Sequence, residues 1–146
     1  MPCIVRLPGE RGAGRVIDTP AWFPDIFPTI CDITGIEKPK NLDGISLWSF
    51  LKQEASLSPR PSPFLWVFPE YGGQMAVRMN NMKAVRRNLK ASKAKWSPWE
   101  VYDLANDPGE KIDLAEKRLD IIEAAVKVLR QQITPNSVCP MPRPEM

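Results

Sequence analysis

Residues 75–89 read Met-Ala-Val-Arg-Met-Asn-Asn-Met-Lys-Ala-Val-Arg-Arg-Asn-Leu, two largely apolar runs on either side of a pair of asparagines. Such runs favour strands, and asparagine tolerates the positive φ that a two-residue connection requires. The stretch therefore predicts a hairpin, with one strand over 75–79, a turn at Asn80 and Asn81, and a return strand over 82–89.

Two more strands are predicted beside this hairpin. The aromatic and β-branched run 64–68 precedes it, and the run 99–104 follows it and ends at four turn-forming residues, 106–109. This order predicts a small antiparallel sheet of three or four strands.

The last periodic segment predicts an amphipathic helix. Its apolar residues recur three, four, three and four positions apart: Leu119, Ile122, Val126, Leu129 and Ile133. This spacing places them on one helical face. A lone helix of this length is marginal in water, so we expect the apolar face to pack on the sheet.

The first third of the chain has a different pattern. Residues 3–7 are a short apolar run that stops at a Pro-Gly turn, which is typical of a buried strand. Apolar residues at helical spacing then predict a helix between Asp25 and Gly35, with the aspartate as its N-terminal cap and the glycine as its end. A second, shorter helix is predicted within 44–54.

Prolines divide the chain into segments. Of its 146 residues 16 are prolines, and three of them fall within 59–63. No periodic element can run through that stretch, which makes it the best candidate for a boundary. We predict one segment over 1–58, a second over 59–134, and a proline-rich tail over 135–146.

Composition excludes several kinds of site. The chain has no histidine, so a Ser-His-Asp or Cys-His site cannot be assembled from it alone. Its three cysteines have no C-x-x-C spacing and indicate neither a zinc site nor a disulfide framework. A net charge of +3 is too small to indicate a nucleic-acid partner, and no run of about 18 apolar residues predicts a membrane span.

One stretch is more basic than the rest. Residues 83–95 contain six basic side chains and no acid: Lys83, Arg86, Arg87, Lys90, Lys93 and Lys95. Trp96 and Trp99 follow directly. The stretch is either a site for an anionic ligand, such as a sulfated sugar or a phosphate backbone, or a solvated strand and loop.

Five short segments, taken in order, resemble the C-terminal part of the type I sulfatases, the family of arylsulfatases and N-acetylgalactosamine-6-sulfatases. They are IVRLPG at 4–9, DIFPTICDITG at 25–35, LDGISL at 42–47, AVR and KAVR at 76–78 and 83–86, and EVYDL with DPGE at 100–104 and 107–110. The resemblance spans residues 3 to 133.

This resemblance implies an α/β fold class, with an α+β arrangement in the present chain. Residues 1–58 would be the end of the alkaline-phosphatase-like α/β domain of a sulfatase. Residues 59–134 would be the family's C-terminal subdomain, an antiparallel sheet packed by a helix. The preceding, N-terminal sulfatase segment would then be the natural partner of this chain.

The resemblance also implies an activity, the hydrolysis of sulfuric esters on sulfated carbohydrates or aryl sulfates. In this family the reaction uses a formylglycine made from C/S-x-P/A-S-R and a calcium ion, both upstream of the matched segments. None of the three cysteines lies in that setting. We therefore expect no catalytic residue, no metal ligand and no bound cofactor in this chain, no hydrolysis by it alone, and a periplasmic or secreted location.

A substrate contact is still expected from one loop. In similar sulfatases the loop before the C-terminal hairpin reaches the rim of the active-site pocket, and here that loop is 68–74. We expect Glu70, Tyr71 and Gln74 to bind sugar hydroxyls and Arg78 to bind an anionic group. The alternative is a tight glycine turn with polar residues facing solvent and Arg78 paired with a local carboxylate.

Three functions stay open on these grounds. The chain is part of a sulfatase, a free-standing anion or polysaccharide-binding module that uses 83–95, or a structural α+β domain. If residues 4–7 belong to a larger parallel sheet, they and one face of the first helix should be apolar and exposed, at Ile26, Phe27, Ile30 and Ile33. A self-sufficient module should bury them.

Overall fold

The computed structural model divides the chain into two compact units, Met1–Pro61 and Ser62–Met146. It describes residues 3–10, 12–52, 63–90, 92, 95–138 and 140–141. Most of the proline-rich boundary segment lies outside these residues, so the predicted division after residue 58 and the separate tail from 135 remain predictions.

The first unit is built around one helix. A 3-10 turn at Phe23–Asp25 leads into α1, Ile26–Thr34, and a second short helix, α2, covers Trp48–Leu51. Gly35 ends α1 with a left-handed φ of 71°, as the sequence predicts. The helix predicted within 44–54 is thus only four residues long in the described chain, and its last two predicted positions lie outside the described residues.

Asp25 does not cap α1 as expected. Its fully buried carboxylate instead accepts hydrogen bonds from the backbone N–H of Trp22 at 3.0 Å and of Ile45 at 2.9 Å. Because the preceding 3-10 turn already gives Asp25 helical backbone angles, its side chain is directed away from the α1 amides. Asp25 therefore ties the entry turn of α1 to the 44–45 segment.

The strand predicted at 3–7 is wrong for the described chain. These residues have no regular structure, and the side chain of Ile4 is 96% exposed. A strand requires a neighbour that accepts its backbone hydrogen bonds, and no described segment of this unit pairs with it. The apolar run at 3–7 therefore has the pattern of a strand but no neighbouring strand to pair with in the described part of this unit.

The second unit contains a four-stranded antiparallel sheet in the order β1-β2-β3-β4. The strands are β1 Phe64–Phe68, β2 Gln74–Met79, β3 Met82–Arg86 and β4 Glu100–Asp103. Asn80 takes a φ of 54° in the turn between β2 and β3, which confirms the predicted hairpin. The return strand ends at Arg86 rather than Leu89, because Asn88 turns the chain with a φ of 60°.

Helix α3, Leu119–Gln132, covers one face of this sheet. The buried core between them contains Met75, Val77, Ala84, Leu89, Trp99, Val101, Ile122, Ala125, Val126 and Leu129. The predicted helical face is correct except at its start, since Leu119 is 57% exposed. Leu119 is the first residue of the helix, and Ala125 completes the buried stripe.

Candidate functional site

The loop 69–73 joins β1 to β2 in an unusual backbone conformation. Tyr71, Gly72 and Gly73 have successive positive φ angles of 50°, 83° and 81°. The Gly73 N–H donates to the carbonyl of Glu70 at 3.0 Å. Glycine adopts such angles freely, whereas a tyrosine is strained in them. The loop therefore holds one bulky side chain at an energetic cost.

Tyr71 points outward from this loop. Its side chain is 84% exposed, and its ring stacks on that of Phe68 with 6.1 Å between centroids and 23° between planes. Phe68 is itself 47% exposed. The two rings form an exposed aromatic platform, defined here as Phe68 and Tyr71, at the end of β1.

The structure brings together three of the four predicted contact residues. Glu70 is exposed next to Tyr71, and Gln74 is the half-buried first residue of β2, paired with Phe68. Arg78 lies four residues further along β2, about 13 Å away at the usual rise of a strand. The structure thus separates Arg78 from the loop.

Arg78 contacts neither the loop nor a carboxylate in the described contacts. Its Nε donates to the carbonyl of Asn80 at 2.9 Å, and its guanidinium carbon lies 6.0 Å from the centroid of the Phe64 ring. Arg78 is therefore held at the β2–β3 turn, at the opposite end of the strand from Tyr71.

Two cations of the basic stretch 83–95 are paired with carboxylates within the fold. Lys83 Nζ lies 2.6 Å from a carboxylate oxygen of Glu110, with both side chains mostly buried, and Arg87 pairs with Glu100. Ion pairs of this kind occupy the cations that a ligand would need. Lys93 lies outside the described residues.

The neighbouring tryptophans are also used internally. Arg86 donates from Nε to the carbonyl of Ser97 at 3.0 Å and lies 5.3 Å and 5.6 Å from the rings of Trp96 and Trp99. Trp99 is only 6% exposed. The arginine and the two rings stabilise the fold through cation–π contacts and do not form an open stacking surface.

Glu100 is the centre of a polar network on the face of the sheet opposite α3. Its carboxylate accepts hydrogen bonds from Arg87 and from the Tyr102 hydroxyl. Partial burial opposes ionisation, but the two hydrogen bonds outweigh it, and the pKa of Glu100 lies below its ordinary value. The same bond from Tyr102 to Glu100, together with burial, raises the pKa of Tyr102.

One basic residue of the stretch lies against the loop. The backbone N–H of Lys90 donates to the carbonyl of Gly72 at 2.8 Å, and that of Leu89 donates to Gly73 at 3.1 Å. A Cβ built on Gly73 would lie 3.2 Å from Lys90 Cγ. The sequence does not predict that Lys90 lies beside Gly72 and Gly73. A strand that continued to Leu89, as predicted, would have placed Lys90 beyond the loop.

The first unit offers a second candidate surface, the outer face of α1. It consists of Ile26, Phe27, Ile30 and Ile33 together with Ile36 just beyond the helix. These side chains are between 44% and 64% exposed, while Pro28, Thr29 and Cys31 on the other side are buried. The helix is therefore apolar on its exposed side as well, as the sequence predicts for part of a larger layered fold.

No metal site is found among the residues that the structure describes. No three acidic, cysteine or histidine side chains lie close enough there to hold an ion. Within the same ranges every helix is too short or too polar to cross a membrane.

Comparisons with known proteins agree on one family. A family model described as N-sulphoglucosamine sulphohydrolase, C-terminal, matches residues 1–136. Mouse steryl-sulfatase is 30% identical over 92% of this chain, and a Δ4,5-hexuronate-2-O-sulfatase of Bacteroides thetaiotaomicron is 29% identical over 80%. These matches cover only 26% and 24% of the two relatives.

The fold is shared with solved structures as well. The protein BT4656, solved with its substrate D-glucosamine-2-N,6-O-disulfate, superposes with a TM-score of 0.56 at 22% identity, over 73% of this chain and 23% of that one. At this identity the likeness concerns the fold alone, and it confirms the predicted fold class. The chain, which spans about a quarter of the length of its relatives, belongs to the sulfatase family and corresponds to its C-terminal region.

Proposed function

We propose that this chain provides the C-terminal scaffold and part of the substrate-pocket rim of a sulfatase. The substrate would be a sulfated carbohydrate or an aryl sulfate, and a preceding α/β segment would perform the hydrolysis. The family is one of hydrolases, which supports the reaction class. The assignment of the chemistry to a preceding segment is our inference from the residues present.

The outer face of α1 is the main observation that supports the scaffold role. A helix with apolar side chains on both sides is typical of the layers around a parallel sheet, where each side packs against another element. Five large apolar side chains about half exposed are costly in water. The surface therefore suits burial against the polypeptide that precedes this region in longer sulfatases.

The loop 69–73 supports the rim role. Glu70 and Tyr71 in the loop and Gln74 at the start of β2 combine a carboxylate, an aromatic ring and an amide within five consecutive residues. Sugar sites commonly combine a ring for stacking with polar groups for hydroxyls. Arg78 remains proposed as a contact to an anionic group, although its position at the other end of β2 supports this role less well.

The alternative function, a free-standing anion-binding module using 83–95, has less support. Three of its six cations are engaged within the fold at Lys83, Arg86 and Arg87, and Trp99 is buried. For the whole protein we further propose a calcium ion, a formylglycine and a periplasmic or secreted location. These three proposals rest on the family resemblance.

Hydrolysis of an aryl sulfate by the 146-residue chain tests the proposal. The chain is assayed with calcium after coexpression with a formylglycine-generating enzyme, and a complete sulfatase treated identically is the positive control. We expect no turnover above the buffer rate, since the family resemblance assigns the formylglycine and calcium motifs to a segment upstream of the matched residues. Robust turnover that follows the chain through purification would contradict the proposal.

A further inference from the structure

Lys90 and Tyr71 lie in separate segments of the sequence, but the fold brings their backbones close together. Tyr71 lies in the loop 69–73, and Lys90 belongs to the basic stretch 83–95. The hydrogen bond from Lys90 N–H to the Gly72 carbonyl places the lysine backbone directly beside the residue that follows Tyr71. The basic stretch thus contributes a cation to the loop, even though most of its other cations are engaged elsewhere.

The backbone around these two residues is well defined by its contacts. Two hydrogen bonds join residues 89 and 90 to Gly73 and Gly72, and a third closes the loop from Gly73 to Glu70. Gly73 leaves room for the lysine stem, because a Cβ there would meet Lys90 Cγ at 3.2 Å. The backbone segments that carry Tyr71 and Lys90 are therefore joined by the same short set of hydrogen bonds.

Lys90 is available to a ligand. Its side chain is exposed, and none of the described residues forms an ion pair with it. Lys83 and Arg87 of the same stretch, in contrast, face Glu110 and Glu100. An exposed ammonium group can form a charge-assisted hydrogen bond with a sulfate or carboxylate oxygen.

We propose that Tyr71 and Lys90 form a recognition site for a sulfated saccharide, in which the Phe68–Tyr71 platform stacks on a sugar ring and Lys90 binds a second anionic group. This inference rests on the proposed function and adds to it that the substrate carries an anionic group besides the ester that is hydrolysed. The lysine would then determine specificity without taking part in hydrolysis.

The charges of the loop favour a saccharide over a nucleic acid. Glu70 places a carboxylate next to the platform. A nucleic acid carries a negatively charged phosphate at every nucleotide, and the Glu70 carboxylate would repel these phosphates. A saccharide instead offers many hydroxyls, from which the Glu70 carboxylate can accept hydrogen bonds. One aromatic platform, one acid and one lysine suit a ligand that has a sugar ring, hydroxyls and an anionic group.

Binding of a heparin-derived sulfated tetrasaccharide to the 146-residue chain, measured by calorimetry or by NMR titration, tests the inference. Lys90→Gln removes the cation, and Tyr71→Asn removes the ring while keeping a residue that tolerates positive φ. Each change is expected to weaken binding by about tenfold, the typical effect of losing one charged hydrogen bond or one stacking contact. Circular dichroism and thermal unfolding confirm that each variant is folded.

The matched control is Lys117→Gln, which removes one positive charge from an exposed lysine at a distance from the loop in sequence. It should change the dissociation constant by less than about twofold, as expected for a diffuse charge effect. A tetrasaccharide that is both desulfated and carboxyl-reduced should bind about tenfold more weakly than the sulfated one, because Lys90 then has no anionic partner. Charge reversal in Lys90→Glu should weaken binding further.

Several results would overturn the inference. They are the absence of measurable binding, equal losses in Lys90→Gln and Lys117→Gln, unchanged binding in Tyr71→Asn, and equal affinity for the desulfated and carboxyl-reduced sugar. Tighter binding of a single-stranded oligodeoxythymidine with the same dependence on Lys90 would assign the site to nucleic acid. Turnover by the isolated chain would contradict only the proposed function, since binding is measured without hydrolysis.

Discussion

At the residue scale, Gly44 and Tyr71 show two opposite uses of backbone geometry. Gly44 occupies a position where no side chain fits, since a Cβ would lie 2.0 Å from the carbonyl oxygen of Pro24. Tyr71 occupies a position that suits glycine and yet carries a large ring. Strain of this kind persists where the surroundings enforce it and is common at binding sites.

The Gly44→Ala variant should disrupt the contact between the 44–45 segment and the entry turn of α1. The added methyl group must displace backbone atoms, which costs about 1–3 kcal/mol in a packed site. Hydrogen exchange of the Ile45 and Leu47 amides, which are bonded to Asp25 and Thr29, should accelerate accordingly.

Gly109→Ala is the control for this variant. The nearest atoms to a Cβ at Gly109 are 3.4 Å away and belong to the flexible side chain of Lys111. Its exchange pattern should match that of the unchanged chain. Equal protection of Ile45 and Leu47 in both variants would contradict the close approach at Gly44.

At the element scale, the sheet and α3 share one hydrophobic core. The helix contributes Ile122, Ala125, Val126 and Leu129 to the core, and the sheet contributes Met75, Val77, Ala84 and Val101. Two leucines at different positions of the same helix differ completely in burial, because Leu129 is fully buried and Leu119 is 57% exposed.

Leu129→Ala should destabilise the second unit by about 2–5 kcal/mol, through lost burial and the cavity that remains. Leu119→Ala makes the same chemical change and should cost less than about 1 kcal/mol, since half of that side chain already contacts water. Urea unfolding followed by far-UV circular dichroism measures both. Similar losses of unfolding free energy in the two variants would mean that α3 is rotated relative to the structure described above.

At the scale of the whole molecule, the two units differ in how much of their apolar surface is covered. The second unit has a sheet covered on one face by a helix, whereas the first has a short helix whose outer face lies open. Open apolar surface of this extent is unusual in a free-standing domain and is typical of interaction surfaces.

The exposed surface of the first unit should bind the dye ANS and promote self-association of the chain. Ile30→Lys places a charge at the centre of the outer face of α1 and should reduce ANS fluorescence by roughly half, because the apolar patch is interrupted. Ile112→Lys is the matched control, since Ile112 is 63% exposed but lies in the second unit.

Fluorescence titration and analytical ultracentrifugation of the three proteins provide the measurements. A monomeric chain without ANS binding, which melts in one cooperative transition, would show that the outer face of α1 is covered. The scaffold role proposed for this chain would then lose its main support.

Local pattern by itself determined much of this protein. The hairpin at Asn80 and Asn81, the four strands, the end of α1 at Gly35 and the length of α3 follow from periodicity and turn chemistry, which act over a few residues. The family membership followed from short segments in a fixed order. The apolar face of α1 was also predicted from spacing, whereas its exposure was expected only if the chain is part of a larger layered fold.

Other features were decided only by the tertiary structure. The hydrogen bond from Ile45 to Asp25, the hydrogen bond from Lys90 to Gly72 and the pairing of Lys83 with Glu110 all join segments far apart in sequence. Residues 3–7 show the converse case, since a strand pattern forms no strand without a neighbour to accept its hydrogen bonds. Periodicity indicates which side of an element is apolar, but the partner of a charged or polar side chain is chosen by packing between elements.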